Sequence, residues 1–389
     1  MGRGSKFIAL ISLFIVALLF RLVVVTVSPG TGDSRNFIIS GRVTLQGGNV
    51  YAYHGAYNYP PTYAMILAGT LAFADRVGIP ETLAVKLPPV IADSLIALLI
   101  LAIAACWHPR AARALAWIYA LNPLTIVIAA HHGHFDSLAY LPTVVALWLQ
   151  SAAFPYWLSA VALGLGGALK IVPAFTGLAW FPALRGARQW IIFAAIVGAL
   201  VIGALGIGYA SAPRAFAETV LQHRRAVDGG WGLYFPILLL EWFAKRFSFT
   251  GILDATQFLR GGHQWILIAA LMITGYASRV RSFPERVLLV QLALPVFAGR
   301  VPAEYVAWLV PVFVLSNQRG LVVWGIATAL WMIPIYIAFT IPPGAQQDVW
   351  LRAVTLLSVP YWLINALWYW SNLRVPPPRV LRWLTQPLR

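Results

Sequence analysis

Apolar runs of about 14–20 residues follow one another along nearly the whole chain, separated by short polar or Gly/Pro-rich breaks. A helix that crosses lipid needs about 20 apolar residues, with a range of roughly 17 to 25. On that measure, spans are expected at 7–27, 86–106, 114–130, 137–150, 190–210, 263–278, 287–300, 303–315, 321–340 and 350–371. The segments 156–169 and 171–183 form a shorter pair broken by Gly and Pro. The pattern predicts an all-α, polytopic membrane protein of about 11–13 transmembrane helices, built as one domain over 1–389.

The breaks carry a second signal, because cytoplasmic loops are rich in Lys and Arg. Arg3 and Lys6 place the N-terminus inside, and "WHPRAAR", "LRGARQ", "SRVRSFPER" and "NQRG" fall inside in turn. The basic, Pro-rich tail 372–389 is also cytoplasmic. The first apolar stretch runs from Phe7 to Val27, interrupted by Arg21, and no A-x-A-like site follows; it reads as an uncleaved span. Residues 29–85 then form a long outer loop. Within it "TYAMILAGTLAFADRVG" is too short to cross and reads as an interfacial or re-entrant helix. Counting it as a span would place the basic 107–113 loop outside. Residues 211–262 form a second outer or re-entrant region. The expected setting is a bacterial cytoplasmic membrane with the site facing outward, or the endoplasmic reticulum membrane with the site facing the lumen.

Composition agrees with this pattern. The chain is 60% hydrophobic and only 10% charged, where soluble domains carry roughly a quarter charged residues. Its own core cannot hide that much apolar surface, so lipid is the solvent. The net charge of +16 suits cytoplasmic loops and anionic membrane lipids. No zinc-finger spacing or RNA-binding aromatic motif accompanies it, so nucleic acid is not an expected partner. Cys106 stands alone, which excludes an intrachain disulfide. Arg outnumbers Lys 24 to 4, as in GC-rich bacterial genomes.

With only 12 acidic residues, each can be placed on this topology. Most gather on the outer side: Asp33 in the first loop, Asp136 at the end of "HHGHFD", Glu304 beside Tyr305 at a turn. Asp93 lies inside a span, roughly 10 Å from its outer end at 1.5 Å per residue. An ionisable group there is a functional candidate by default; the alternative is a structural pair with a buried cation, such as Arg21 or Lys170. The loop 212–230 breaks the charge rule, carrying Arg214, His223, Arg224 and Arg225 on the outer side. Either it is a long loop that translocates regardless of charge, or it is an anion site, since paired Arg suits phosphate. "HHGHFDS" admits three readings: a metal site through His131, His132, His134 and Asp136, a wet helix end, or a substrate-facing turn. Its spacing matches no common zinc signature. Tyr59, in "YNYPPTYAMI", belongs either to a plain helix-opening turn or to a pocket wall. Lys170 either snorkels to an interface or meets an anionic ligand, and Glu304 and Tyr305 either cap a helix or line the site.

In order along the chain, "GD" after span one, "YNYPPTYAMI", "HHGHFDSL" and "FAGRVPAEYVAWLVP" resemble the GT-C superfamily of multi-span glycosyltransferases. "YPP" and "HGHF" look most like the dolichyl-phosphate-glucose glucosyltransferases. The spacing is also similar to bacterial polyprenyl-phosphate mannosyl- and arabinosyl-type relatives. The resemblance implies hexose transfer from a polyprenyl-phosphate sugar donor to a lipid or glycan acceptor on the non-cytoplasmic face. It implies single displacement with inversion, with Asp33 as catalytic base. His223, Arg224 and Arg225, with Arg300, would hold the lipid phosphate. Arg35, Tyr59, Asp93, His132, His134, Asp136, Lys170, Glu304 and Tyr305 complete the expected substrate contacts. The sequence points to no particular cofactor, and a divalent metal remains open. A different class is also open: a secondary transporter or flippase for an anionic lipid or sugar-phosphate, with Asp93 central and Asp33 dispensable.

Overall fold

The computed structural model describes residues 3–28, 30–54, 57–221, 232–299, 301–340, 345–374 and 379–388. Among them the regular structure is helical throughout, without a strand. The longer helices are α1 (Arg3–Val27), α2 (Gly32–Leu45), α3 (Pro61–Val77), α4 (Leu87–Trp107), α5 (Ala112–Ala120), α6 (Asp136–Ser151), α7 (Tyr156–Leu169), α8 (Gly186–Ser211), α9 (Tyr234–Arg246), α10 (Thr250–Ala277), α11 (Phe283–Phe297), α12 (Val306–Ser316), α13 (Gly320–Thr340) and α14 (Ala345–Leu373).

Five described helical segments are long and apolar enough to cross a membrane: Ile8–Val27, Glu81–Trp107, Ala112–His132, Gly186–Ser211 and Gly320–Ala338. The chain is a multi-pass integral membrane protein. Expected spans and observed helices differ mainly where backbone chemistry intervenes. The run at 114–130 is not one regular helix: Asn122 caps a new turn at Pro123, its side chain accepting from the Leu124 amide at 3.0 Å. A π-helical turn, Val127–His132, follows and ends at Gly133. The 171–183 segment is a 3-10 stretch, Val172–Ala183, with Pro182 inside.

The chain divides into two compact units. The first comprises residues 1–177, 184–225 and 306–311; the second comprises 178–183, 226–305 and 312–389. In the first unit α1 is anchored by a buried charge. The Arg21 guanidinium donates to Asp93 at 2.6 Å, to the Ala17 and Ala120 carbonyls at 2.8 Å each, and to Thr125 at 3.2 Å. Asp93 also accepts from Tyr119 at 2.6 Å and Ser137 at 2.9 Å. One ion pair thus ties α1, α4 and α5 to the start of α6, and every partner is a named donor or acceptor, as burial in lipid requires.

The 29–85 segment is held on α2 and α3. Arg42 forks onto Asp75 at 2.5 and 2.6 Å and reaches Glu81 at 2.7 Å. Beneath lies an aromatic cluster of Phe37, Tyr51, Tyr57, Tyr63, Phe135 and Phe216. In the second unit, Trp331 stacks on Tyr361 with ring centroids 5.0 Å apart, and its indole donates to Ser358 at 3.0 Å. The C-terminal stretch does not trail away: the Arg319 amide donates to Gln386 at 2.8 Å and the Leu388 amide to Asn317 at 3.0 Å.

Candidate functional site

The site is built where the 112–132 run stops. The π-helical turn presents His131 and His132, and Gly133, at φ 71°, reverses the chain. His134 and Phe135 follow, and Asp136 opens α6. A side chain at 133 would meet trouble twice. The left-handed backbone disfavours it, and a Cβ there would lie 2.8 Å from Lys86 Cγ and 3.0 Å from Ser34 Oγ. Gly133→Ala is expected to destabilise the protein by roughly 1–3 kcal/mol, read as a lower thermal midpoint in micelles. An unchanged midpoint would show that the turn is not tightly specified.

Two acid–histidine pairs come together at this turn. Asp33, in the first turn of α2, lies 2.8 Å from His132 Nε2. Asp136 lies 2.5 Å from His134 Nδ1 and 2.7 Å from the Lys170 ammonium, and accepts from the Trp308 indole at 2.5 Å. The Tyr59 hydroxyl is 3.2 Å from His134 Nε2. Lys170 is surrounded by rings, its ammonium 5.4 Å from the centroids of Tyr59 and Trp308 and 5.5 Å from that of Phe135. Such faces stabilise a desolvated cation. Phe135 in turn stacks on Tyr63 at 3.8 Å. His132, His134, Asp136 and Lys170 are all buried, whereas the Asp33 side chain keeps 45% of its surface exposed. Asp33 is therefore the open edge of an otherwise closed cluster.

Burial alone would raise the Asp33 carboxyl. The His132 hydrogen bond and the charges of His134, His132 and Lys170 outweigh it and hold the group at about 2. A carboxyl that acidic is ionised at neutral pH but is a weak base, whereas general bases work best near the operating pH.

The structure thus joins Asp33, Tyr59, His132, His134, Asp136 and Lys170. Asp93 is joined to them in sequence through Ser137, yet its own oxygens go to Arg21, Tyr119 and Ser137. Arg35 is exposed on α2. Glu304 and Tyr305 form the 3-10 turn Ala303–Tyr305, which belongs to the second unit. His223, Arg224, Arg225 and Arg300 lie outside the described residues. Among the described residues, no group of three or more His, Cys, Asp or Glu is disposed to hold a metal ion. His131 Nδ1 is 2.8 Å from the Ser28 hydroxyl.

Two residues at the site have no visible signal in the sequence. Trp308 is one of 17 tryptophans in an apolar run, and nothing local marks its indole for Asp136. Lys86 is buried beside Ser28, Gly30 and Gly133. It is one of four lysines and opens an apolar run, a position that ordinarily reads as snorkelling.

No known family's sequence profile matches the chain. It is 26% identical over 274 residues to the "Probable nitrate/nitrite antiporter NarK2" of Thermus thermophilus, a match covering 70% of this chain and 49% of that protein. The chain spans about half the length of the curated relative it matches. This likeness to a transporter overturns the resemblance to GT-C glycosyltransferases and the enzyme expected from it. Hexosyl or mannosyl transfer in glycan biosynthesis falls with it, as do the polyprenyl-phosphate sugar donor and the glycan acceptor.

Proposed function

We propose that this chain is a secondary transporter that exchanges small anionic solutes across the membrane. The likeness to an antiporter over 274 residues carries the reading. The geometry supports it in two ways. Ionisable groups buried in a membrane protein are costly and mark ion or solute pathways. Irregular backbone near the membrane belongs where it lines a polar site. Here the π-helical turn Val127–His132 runs into the cluster of charges, and a 3-10 stretch begins at Val172, just after Lys170.

In this reading the Lys170–Asp136 pair, rather than Asp93, couples solute to proton. Lys170 is neutralised by Asp136, so an anion that engages the ammonium must displace that carboxylate. His134, 2.5 Å from Asp136, is placed to hold the released charge by taking a proton. Basic loops face the cytoplasm and the Asp33 cluster lies towards the opposite side, with about 11–13 spans in all.

The test is exchange in proteoliposomes. Vesicles preloaded with nitrite or nitrate should take up labelled nitrate several-fold faster than vesicles without internal anion. Counterflow no faster than in protein-free vesicles, for nitrate, nitrite and phosphate alike, would remove the reading.

A further inference from the structure

We propose that Lys86 anchors an oxyanion-binding site between the Gly133 turn and the first turn of α2. The site goes beyond the transport reading, whose solute meets Lys170, and rests on that reading only for passage across the membrane.

Lys86 is 1% exposed. Its ammonium has three protons to donate, and among the described residues it makes one hydrogen bond, to the Ser28 carbonyl at 3.1 Å. No carboxylate among those residues pairs with it. The other two buried cations described in this unit are handled differently: Arg21 has Asp93, and Lys170 has Asp136. A buried charge without a counter-charge is expensive, so the position calls for an anion that the chain itself does not supply.

Two glycines bring the backbone close to this lysine. The Lys86 stem lies against two glycines in left-handed conformation, Gly30 at φ 84° and Gly133 at φ 71°. A Cβ on Gly30 would sit 3.3 Å from Lys86 Cε and 2.9 Å from Ser34 Oγ. Ser34 is in the first turn of α2, a helix of 14 residues whose N-cap residue, Thr31, makes no side-chain cap. The Thr31 hydroxyl donates instead to the His132 carbonyl at 3.3 Å, and Ser34 donates to the same oxygen at 3.0 Å. Among the described residues the first amides of α2 thus receive no cap from the Thr31 side chain, at the helix end that favours negative charge. Asp33 is the negative neighbour in that turn, and it is engaged by His132. Nitrate, inorganic phosphate and a lipid phosphate all offer the planar or tetrahedral oxygens that such amides and an ammonium bind.

The experiment is thermal unfolding of purified protein in a chloride-free buffer. Nitrate, inorganic phosphate, and mixed micelles of phosphatidylglycerol against phosphatidylcholine are compared. At saturation, at least one anion should raise the wild-type Tm by about 2–4 °C. A rise with nitrate or phosphate identifies a free oxyanion; a rise with phosphatidylglycerol alone identifies a lipid phosphate as its source. Lys86→Met should lose the rise and, without anion, unfold no lower than wild type, because an uncompensated charge has gone. Lys86→Arg should keep part of the rise. No rise in wild type, a rise that survives Lys86→Met, or a Lys86→Met protein that unfolds earlier or fails to fold without anion would each overturn the proposal. Anion stabilisation lost in Lys86→Met alongside absent exchange in wild type would leave the site standing and remove the transport reading.

Discussion

Lys170→Met is expected to abolish anion exchange and to cost about 3–5 kcal/mol of stability, the range for breaking a buried ion pair from one side. The ammonium is 2.7 Å from Asp136, with only 5% of the lysine side chain exposed and none of the aspartate's. Removing it leaves Asp136 buried with His134 and the Trp308 indole, and strips three aromatic rings of the cation they face. Methionine keeps most of the volume, so the loss is chiefly electrostatic. Asp136→Asn in the same background should recover much of the stability, because no unpaired charge then remains. Exchange should stay absent in the double variant, since the cation that meets the solute is still missing. Unfolding in detergent by denaturant and flux in proteoliposomes separate the two effects. A Lys170→Met protein that exchanges anions at the wild-type rate would show that the pair is only a structural strut.

Much of the architecture is legible along the chain, and the reasons are local. A run of apolar residues with hardly a charge has no stable home but lipid, so α1, α4, α8 and α13 follow from the pattern directly. "HHGHFD" marks the end of a helical run because glycine is suited to the left-handed turn that polar helix ends use, and Gly133 takes it. The convergence of Asp33 on the histidines also follows, since counting spans by loop charge puts both on one side. Other features are hidden for physical reasons. Lys170 and Asp136 are 34 residues apart, and Arg21 and Asp93 are 72 apart, so neither pairing has a local trace. The sequence leaves Asp93 between two partners, Arg21 and Lys170, and the packing of α1 on α4 and α5 settles it on Arg21. The pattern ends the outer or re-entrant region at 262 and starts a span at 263, yet α10 runs unbroken from Thr250 to Ala277. Gly261 and Gly262 face open space, so they weaken the helix without ending it. Function is hidden for a different reason. Carboxylates, histidines and cations beside a membrane suit glycosyl transfer and anion passage equally, and residue types do not state what moves.

The Arg21–Asp93 pair gives a sharp test of which buried charges serve transport and which serve the fold. Arg21→Met alone leaves a carboxylate with Tyr119 and Ser137 as its donors; Asp93→Leu alone leaves a guanidinium among Ala17, Ala120 and Thr125. Each is expected to cost about 3–5 kcal/mol, because one buried charge stays without its partner. The double variant Arg21→Met/Asp93→Leu should be close to wild type in stability. Replacing a whole buried pair by well-packed apolar groups is often neutral or better, and Val25 of α1 and Val90 of α4, about one turn from the pair on each helix, already belong to one apolar cluster. The cycle should therefore show a coupling of several kcal/mol, well beyond the scatter of independent sites. Exchange supplies the second axis. If the pair only fastens α1 to α4, the double variant folds and still exchanges nitrate at a rate within a few-fold of wild type. A double variant that is as stable as wild type but inert in proteoliposomes would return Asp93 to the solute or proton pathway, and Lys170 and Asp136 would then share the coupling with it.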